Sequence, residues 1–206
     1  MNERIAAWLR RTTVLALLLV SSAVAPAECR IAMQANANVS PDPWPIEPFT
    51  LVDQHGQTFT EQQLRGRWTF VVFGDTHCSD ACASALATLA RMTHTLAPSR
   101  LGRDTQVLFI SVDPERDTTQ RLRDYVVRFN AGFIGASGSR NTLERLADEM
   151  SVSYHLPQHS RENTQVEHEA TIQLIGPENL LRAEFFPPHD AAALTATYVR
   201  MRFCRG

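Results

Sequence analysis

The sequence predicts an α/β fold in which a central mixed β-sheet is flanked by helices. Two continuous apolar runs, WTFVVF (68–73) and VLFISV (107–112), are typical of strands that are buried on both faces of a sheet. Segments with helical periodicity lie between and after these runs, and strand–turn–strand patterns lie on either side of them. The 206 residues, of which 44% are hydrophobic and 20% charged, suffice for one domain with a full core.

The individual elements can be assigned in order from residue 48. FTLVDQHGQTFT (49–60) predicts an N-terminal β-hairpin that turns near His55 and Gly56. The segments whose apolar residues recur at helical spacing, and which therefore predict helices, are 79–96, 118–129, 140–150 and 190–202. The segments that predict strands are 68–73, 107–112, 170–175 and 180–186, and a Gly-Pro-Glu-Asn turn joins the last two as a second hairpin.

This order of elements is that of a thioredoxin-like sandwich. The apolar strands are expected to form its parallel centre, and the second hairpin is expected to add the antiparallel edge. The sequence contains no internal repeat and no sign of a second domain. We therefore expect residues 48–206 to form one thioredoxin-like domain.

The N-terminus has the pattern of a secretory signal. Three arginines precede an apolar run (12–27) that ends in Ala-Pro-Ala, which predicts cleavage of residues 1–27. The run is shorter than the roughly 20 residues that a spanning helix needs, so an uncleaved membrane anchor is the second interpretation. Residues 28–47 contain three prolines and predict an extended arm. We expect export to a bacterial periplasm, with membrane attachment only through an uncleaved N-terminal segment, and hence an oxidising compartment.

Charge excludes two classes of function. The net charge is −2, so no excess of basic side chains indicates a nucleic-acid partner. All 20 cationic side chains are arginines, which excludes chemistry that requires a lysine, such as Schiff-base formation.

The stretch FGDTHCSDAC (73–82) places Cys78 and Cys82 four residues apart, after the first apolar strand and at the start of a predicted helix. The positive end of the helix dipole lowers the pKa of a thiol in this position and favours the thiolate. Residues four apart share one face of a helix, so both sulfurs can point to the same spot. The loop also lies at the carboxyl end of the parallel strands, where α/β folds place their sites.

The spacing leaves a redox site and a metal site open. Dedicated disulfide oxidoreductases usually carry C-x-x-C, whereas the C-x-x-x-C of this chain leaves room for one metal ion between two thiolates. Thiolates select copper(I), while copper(II) would need a nitrogen ligand in addition. His168 precedes the predicted strand 170–175, whose start faces the cysteine loop in a thioredoxin-like fold. A histidine there can complete a Cys₂His set.

Three separated blocks of the sequence resemble the Sco/SenC family of copper-binding assembly factors. They are FGDTHCSDAC (73–82), FISVDPERDT (109–118) and VEHEATIQLIGPENLLRAEFF (166–186), and the similarity extends over about 49–202. Proteins of that family are thioredoxin-like, are exported or membrane-anchored, and serve the copper centre of cytochrome c oxidase. The resemblance implies copper, Cu(I) or Cu(II), as the cargo and the copper-site subunit of the oxidase as the partner. It implies Cys78, Cys82 and His168 as the ligands.

The chain departs from the family pattern around these positions. Ser79 and Ala83 stand where the family usually has a proline after each cysteine. Asp75 replaces an aromatic residue, and Glu167 and Glu169 flank the histidine where the family commonly has aspartate and serine. We therefore expect a less rigid cysteine loop and a more acidic site than in the rest of the family.

Two functions of different class remain open. A copper chaperone would hold the metal through Cys78, Cys82 and His168, and would need a thiol reductant in an oxidising compartment. A thiol–disulfide oxidoreductase would attack a client disulfide with Cys78 and resolve the mixed disulfide with Cys82, and it would not need His168. A thiol peroxidase fits less well, because the cysteine loop lacks the proline such enzymes carry ahead of the reactive cysteine.

Three further features lie outside the proposed ligand set. His77 is expected to orient or tune Cys78 rather than to bind metal. The segment 113–117 (DPERD) is interpreted mainly as a strand end followed by a helix cap. Cys29 and Cys204, near the two ends of the mature chain, form either a disulfide or two independent thiols, and the sequence leaves both possibilities open.

Overall fold

The computed structural model describes residues 36–77, 80–152 and 170–203. The strands are β1 (Ala37–Pro45), β2 (Thr50–Asp53), β3 (Thr58–Thr60), β4 (Trp68–Gly74), β5 (Thr105–Ser111), β6 (Ile134–Ser137), β7 (Ile172–Ile175) and β8 (Leu180–Phe185). The helices are α1 (Asp80–Leu96), α2 (Arg100–Arg103), α3 (Thr119–Val126), α4 (Arg140–Glu149) and α5 (Ala191–Phe203), with a 3₁₀ turn at Glu61–Gln63. Among the described residues, no helix combines the length and apolar character needed to cross a membrane.

The eight strands form one mixed sheet in the order β1-β8-β7-β4-β5-β6-β2-β3. Strands β4, β5 and β6 are parallel neighbours, and the other pairs are antiparallel. The register of β4 with β5 runs without interruption from Trp68 opposite Thr105 to Gly74 opposite Ser111. The carboxyl ends of β4 and β5 therefore lie side by side, and the segments that follow them share one edge of the sheet.

The predicted α/β sandwich with a central mixed sheet is confirmed. Each segment that the sequence predicts as a helix or strand contains an element of that type within a few residues of the expected bounds. The N-terminal hairpin is formed by β2 and β3, and its turn contains Gly56 with a φ of +76°. Such a positive φ is accessible to glycine at little cost, which explains the glycine in this turn.

The second hairpin does add antiparallel strands beside the parallel ones, as predicted. It is not the edge of the sheet, however, because β1 pairs antiparallel with β8 and lies outside it. This strand falls within the segment that the sequence analysis interprets as an extended arm. Its register is irregular between Val39 and Trp44, and prolines are tolerated on such an edge strand because one side makes no ladder hydrogen bonds. The indole N–H of Trp44 donates to the carbonyl oxygen of Glu149 (2.9 Å), which ties β1 to the end of α4.

The core lies on both faces of the sheet. Along β4 the side chains alternate, so that Phe70 and Val72 pack with α1 and α5 while Val71 and Phe73 pack with α4 and the N-terminal hairpin. All four are buried, which explains why this strand is apolar throughout rather than at every second residue. The double coverage makes β4 a rigid base for the loop that follows it.

Candidate metal centre

Cys82 lies in the first turn of α1 and is completely buried. Its Sγ lies 3.9 Å from the carbonyl oxygen of Phe73, at the end of β4. Buried residues one and two turns further along the helix, Leu86 and Leu89, hold α1 against the sheet. The position of this sulfur is therefore fixed by the packing of a strand and a helix rather than by a surface loop.

Gly74, the last residue of β4, leaves the space that the sulfur of Cys82 occupies. A Cβ atom at this position would lie 2.5 Å from the Sγ of Cys82 and 3.1 Å from Cε2 of Phe109. The first of these distances is shorter than a non-bonded contact allows, so any side chain would displace the sulfur or the strand. A glycine is thus required at this position by the close approach of α1 to β4.

The loop between β4 and α1 starts with a buried carboxylate. Asp75 is 2% exposed, and its Oδ1 accepts a hydrogen bond from the backbone N–H of His77 (2.7 Å). This contact between a side chain and the backbone two residues later is an Asx-type turn, which aspartate favours. The acidic residue that departs from the family pattern therefore shapes the loop just ahead of Cys78.

Asp117 joins this loop to the neighbouring strand. Its buried carboxylate accepts hydrogen bonds from the backbone N–H of Thr76 (2.8 Å) and from the hydroxyl of Thr76 (2.5 Å). The hydroxyl of Ser111, at the end of β5, donates to the same carboxylate (2.6 Å). The segment 113–117 does separate the end of β5 from Thr118, the N-cap of α3, as the sequence predicts. That interpretation missed the contact of Asp117 with the cysteine loop.

His77 lies between these carboxylates and an arginine. Its Nδ1 is 3.8 Å from Oδ1 of Asp75 and 3.7 Å from Oδ1 of Asp117, and its Nε2 is 3.2 Å from Nη1 of Arg121. A guanidinium group can only donate, so Nε2 of the histidine is the acceptor in this contact. The predicted effect of His77 on Cys78 stays a prediction, because Cys78 lies outside the described residues.

A second acidic–basic pair lies next to this network. Asp113 is 7% exposed and accepts a hydrogen bond from the guanidinium group of Arg116. This hydrogen bond raises the pKa of Arg116 above its ordinary value. Arg121 also donates to the backbone carbonyl of Arg116 (3.2 Å), so contacts through Arg121 and His77 connect this pair to the network beside the cysteine loop.

His189 contacts the segment that leads into β7. This segment begins two residues after the predicted ligand His168 in the sequence. Its Nε2 lies 2.6 Å from the carbonyl oxygen of Ala170. Burial lowers the pKa of His189, and the hydrogen bond to Ala170 opposes this shift only in part. This role of His189 could not be predicted from the sequence, because its partner carbonyl is 19 positions away and no local pattern marks the contact.

The structure describes one of the three predicted copper ligands. Cys82 lies buried against the end of β4, whereas Cys78 and His168 lie outside the described residues, as do Cys29 and Cys204. Within residues 36–77, 80–152 and 170–203, no group of three or more histidine, cysteine, aspartate or glutamate residues is arranged to hold a metal ion. The described part of the centre is thus the buried Cys82 and the loop from Asp75 to His77.

Known proteins resemble this chain over most of its length. A protein of Stutzerimonas stutzeri is 33% identical over 179 residues, which is 87% of each chain. SCO1 homolog 1, a mitochondrial protein of Arabidopsis thaliana, is 35% identical over 153 residues, covering 74% of this chain and 46% of that protein. This chain thus spans about half the length of that relative.

The chain also resembles a solved structure and matches a family model. The crystal structure of Arabidopsis thaliana ScoI with copper bound is 34% identical, with a TM-score of 0.69, over 76% of this chain and 98% of the other. The family model described as SCO1/SenC matches residues 41–202. The match includes strand β4, the cysteine loop that follows it and the helix that carries Cys82. The chain belongs to the SCO1/SenC family.

Proposed function

We propose that this protein is a copper chaperone that binds one copper ion through the thiolates of Cys78 and Cys82 and the imidazole of His168. The observation that carries the proposal is the position of Cys82. Its sulfur is buried at the carboxyl end of β4, in space that Gly74 leaves free, in a family whose Arabidopsis member is solved with copper bound. The copper is cargo, to be passed on by exchange of ligands.

The donor set suits this cargo. Thiolate sulfur prefers copper(I), and an imidazole nitrogen extends the site to copper(II). The thiols must lose their protons to bind, so metal uptake releases protons and is weakened at low pH. A buried sulfur that is held by two packed elements also loses little conformational freedom on binding. The fixed Cys82 is therefore suited to be the anchor ligand of the site.

The partner and compartment follow from the family and from the N-terminus. The recipient we propose is the copper-site subunit of cytochrome c oxidase, which is what the resemblance implies. The signal-like pattern at 1–27 supports a periplasmic location, where the dithiol would oxidise without help. A thiol reductant is therefore a required second partner, since a disulfide cannot hold copper as two thiolates do.

Copper titration of the reduced protein tests the proposal. We expect one tightly bound copper per chain by elemental analysis, and a large loss of affinity in Cys78→Ser, Cys82→Ser and His168→Ala. The matched control is His94→Ala, which removes an exposed histidine from α1, far along the helix from Cys82. A wild type that retains no copper after buffer exchange, or a His94→Ala variant that loses as much affinity as His168→Ala, would contradict the proposed site.

A thiol–disulfide oxidoreductase is the second candidate function. It is favoured by the contrast between a buried Cys82, suited to resolve a mixed disulfide, and a partner cysteine just ahead of the same helix. His168→Ala separates the two functions, because thiol exchange does not use an imidazole ligand. We expect the variant to keep any reductase activity toward a model disulfide while it loses copper. Loss of both in parallel would contradict this separation.

A further inference from the structure

We propose that Asp117 is a positioning residue for the copper site. Its buried carboxylate fixes the backbone at Thr76, two residues ahead of Cys78, and so limits the direction in which the chain enters Cys78. The inference rests on the proposed role of Cys78 as a copper ligand. It concerns a residue 39 positions away from Cys78 in the sequence, on the segment that follows a different strand.

The first support is the number of contacts that converge on one carboxylate. Oδ2 of Asp117 accepts from the backbone N–H of Thr76 (2.8 Å) and from the hydroxyl of Ser111 (2.6 Å), and Oδ1 accepts from the hydroxyl of Thr76 (2.5 Å). Hydrogen bonds to a carboxylate are about twice as strong as those between neutral groups, and burial strengthens them further. The side chain has no exposed area, so water does not compete for these donors.

The second support is the rigidity of what holds Asp117. The backbone N–H of Asp117 donates to the carbonyl oxygen of Asp113 (2.9 Å), and the next residue, Thr118, is the N-cap of α3. Ser111 is the last residue of β5 and lies opposite Gly74 in the parallel ladder. The carboxylate is therefore mounted on a strand end and a helix start, both of which are fixed by the core.

The third support is the amino-acid sequence of the loop that Asp117 holds. Ser79 stands where the family usually has a proline after the first cysteine, so this position lacks the fixed φ of a proline. Hydrogen bonds from a neighbouring segment can restrict the loop instead. The contacts to Thr76 do this two residues ahead of Cys78, and the ring of His77 extends the network to Arg121.

The test uses the reduced full-length chain and four substitutions. Asp117→Ala removes all three acceptor contacts. Asp117→Asn keeps the shape and can still accept at one oxygen while its amide donates to the Thr76 hydroxyl, so it is the conservative variant. Thr76→Val removes the hydroxyl contact alone. Tyr198→Phe is the matched control, because it removes a buried hydroxyl that bonds to Thr105 at the far end of β5, about 20 Å from Ser111.

The first readout needs no copper. In the metal-free protein we expect the amide proton of Thr76 to be protected from hydrogen exchange, and Asp117→Ala to accelerate its exchange by about 10- to 100-fold. Tyr198→Phe lowers global stability without touching the cysteine loop, so it should accelerate exchange of the Thr76 amide no more than it accelerates exchange of the most protected core amides. A Thr76 amide that exchanges equally fast in the wild type and in Asp117→Ala overturns the proposal, whatever copper does.

The second readout is copper affinity measured by competition with a chelator. Asp117→Ala should bind copper about 10- to 100-fold more weakly, the range found when supporting residues around metal ligands are removed. Asp117→Asn should stay within about fivefold of the wild type, and Thr76→Val should fall between the two. The positioning role is overturned if Asp117→Ala keeps wild-type copper affinity. It is also overturned if Asp117→Ala and Tyr198→Phe have the same melting temperature and lose the same amount of copper affinity. A wild type that binds no copper overturns the proposed function and, with it, the copper-site role of Asp117. The exchange rates then still show whether Asp117 holds the backbone at Thr76.

Discussion

The sulfur of Cys82 occupies the space that a side chain at position 74 would need, since a Cβ on Gly74 would lie 2.5 Å from it. This relationship joins the end of the central strand to the first turn of α1. The close packing against Gly74 also explains why Cys82 is buried. A ligand of a site that exchanges metal would otherwise be expected at the surface. The fold, rather than the loop, fixes this half of the cysteine pair.

The substitution Gly74→Ala should therefore destabilise the protein and weaken copper binding together. We expect a loss of about 1–3 kcal/mol in the free energy of unfolding, which is the usual cost of an added group in a packed core. Urea denaturation and copper competition measure the two effects. Gly132→Ala is the control, because its Cβ would come no closer than 3.3 Å to Oδ1 of Asn130. Wild-type stability and affinity in Gly74→Ala would contradict the close packing of α1 on β4.

The buried His189 should make stability depend on pH. Its pKa is lowered by burial from the ordinary value of 6.5, so below about pH 6.5 the unfolded chain takes up a proton that the folded chain does not. The free energy of unfolding should then fall as the pH decreases through this range, until the folded form is protonated as well. Above about pH 6.5 the group should have no effect on the slope.

His189→Gln tests this dependence, because its amide can still donate to the carbonyl oxygen of Ala170 but does not titrate. Urea denaturation of the wild type and the variant, between about pH 5 and about pH 7.5, gives the slopes directly. We expect a smaller loss of stability on acidification in the variant than in the wild type. Equal slopes in the wild type and His189→Gln would show that burial does not shift the pKa of His189.

Tyr198→Phe should lower stability without affecting the metal site. The buried phenol hydroxyl shares a hydrogen bond with Oγ1 of Thr105 (2.6 Å) and accepts one from Arg202 (2.8 Å). Its removal should cost about 1–3 kcal/mol, because one of the partners is charged. Thermal unfolding measures the loss, and the copper stoichiometry should remain one per chain. A change in copper stoichiometry would mean that the contact at Thr105 affects the metal site at the other end of β5. It would contradict the expectation that this substitution leaves the metal site unaffected.

Much of the fold follows from local sequence patterns, and the exceptions have physical reasons. The strands β4 and β5 are predictable because both faces are buried, which makes them apolar throughout. The strand β1 is rich in proline and polar residues because it lies at the edge, and so it resembles a loop in sequence. The strand β6 was not predicted, because it has only four residues and includes Gly135, where a Cβ would press on Val126 at 3.0 Å.

In the candidate site, too, local features could be predicted from the sequence and long-range contacts could not. Cys82 could be predicted because its spacing from Cys78 is local. The contact of Asp117 with Thr76 could not, because it depends on the register of β4 with β5, which brings together residues that are 41 positions apart. Likewise, the bond from His189 to Ala170 depends on how the segment after β8 returns to the start of β7. Long-range pairings of this kind leave no periodic trace in the sequence.

The most direct test of the central claim is X-ray absorption spectroscopy at the copper edge, on protein loaded with one equivalent of copper(I) under reducing conditions. We predict a first shell of two sulfur donors and one nitrogen donor in the wild type. The nitrogen should disappear in His168→Ala, and one sulfur should disappear in Cys82→Ser. A shell without sulfur, or one that neither substitution changes, would contradict a site built from Cys78, Cys82 and His168.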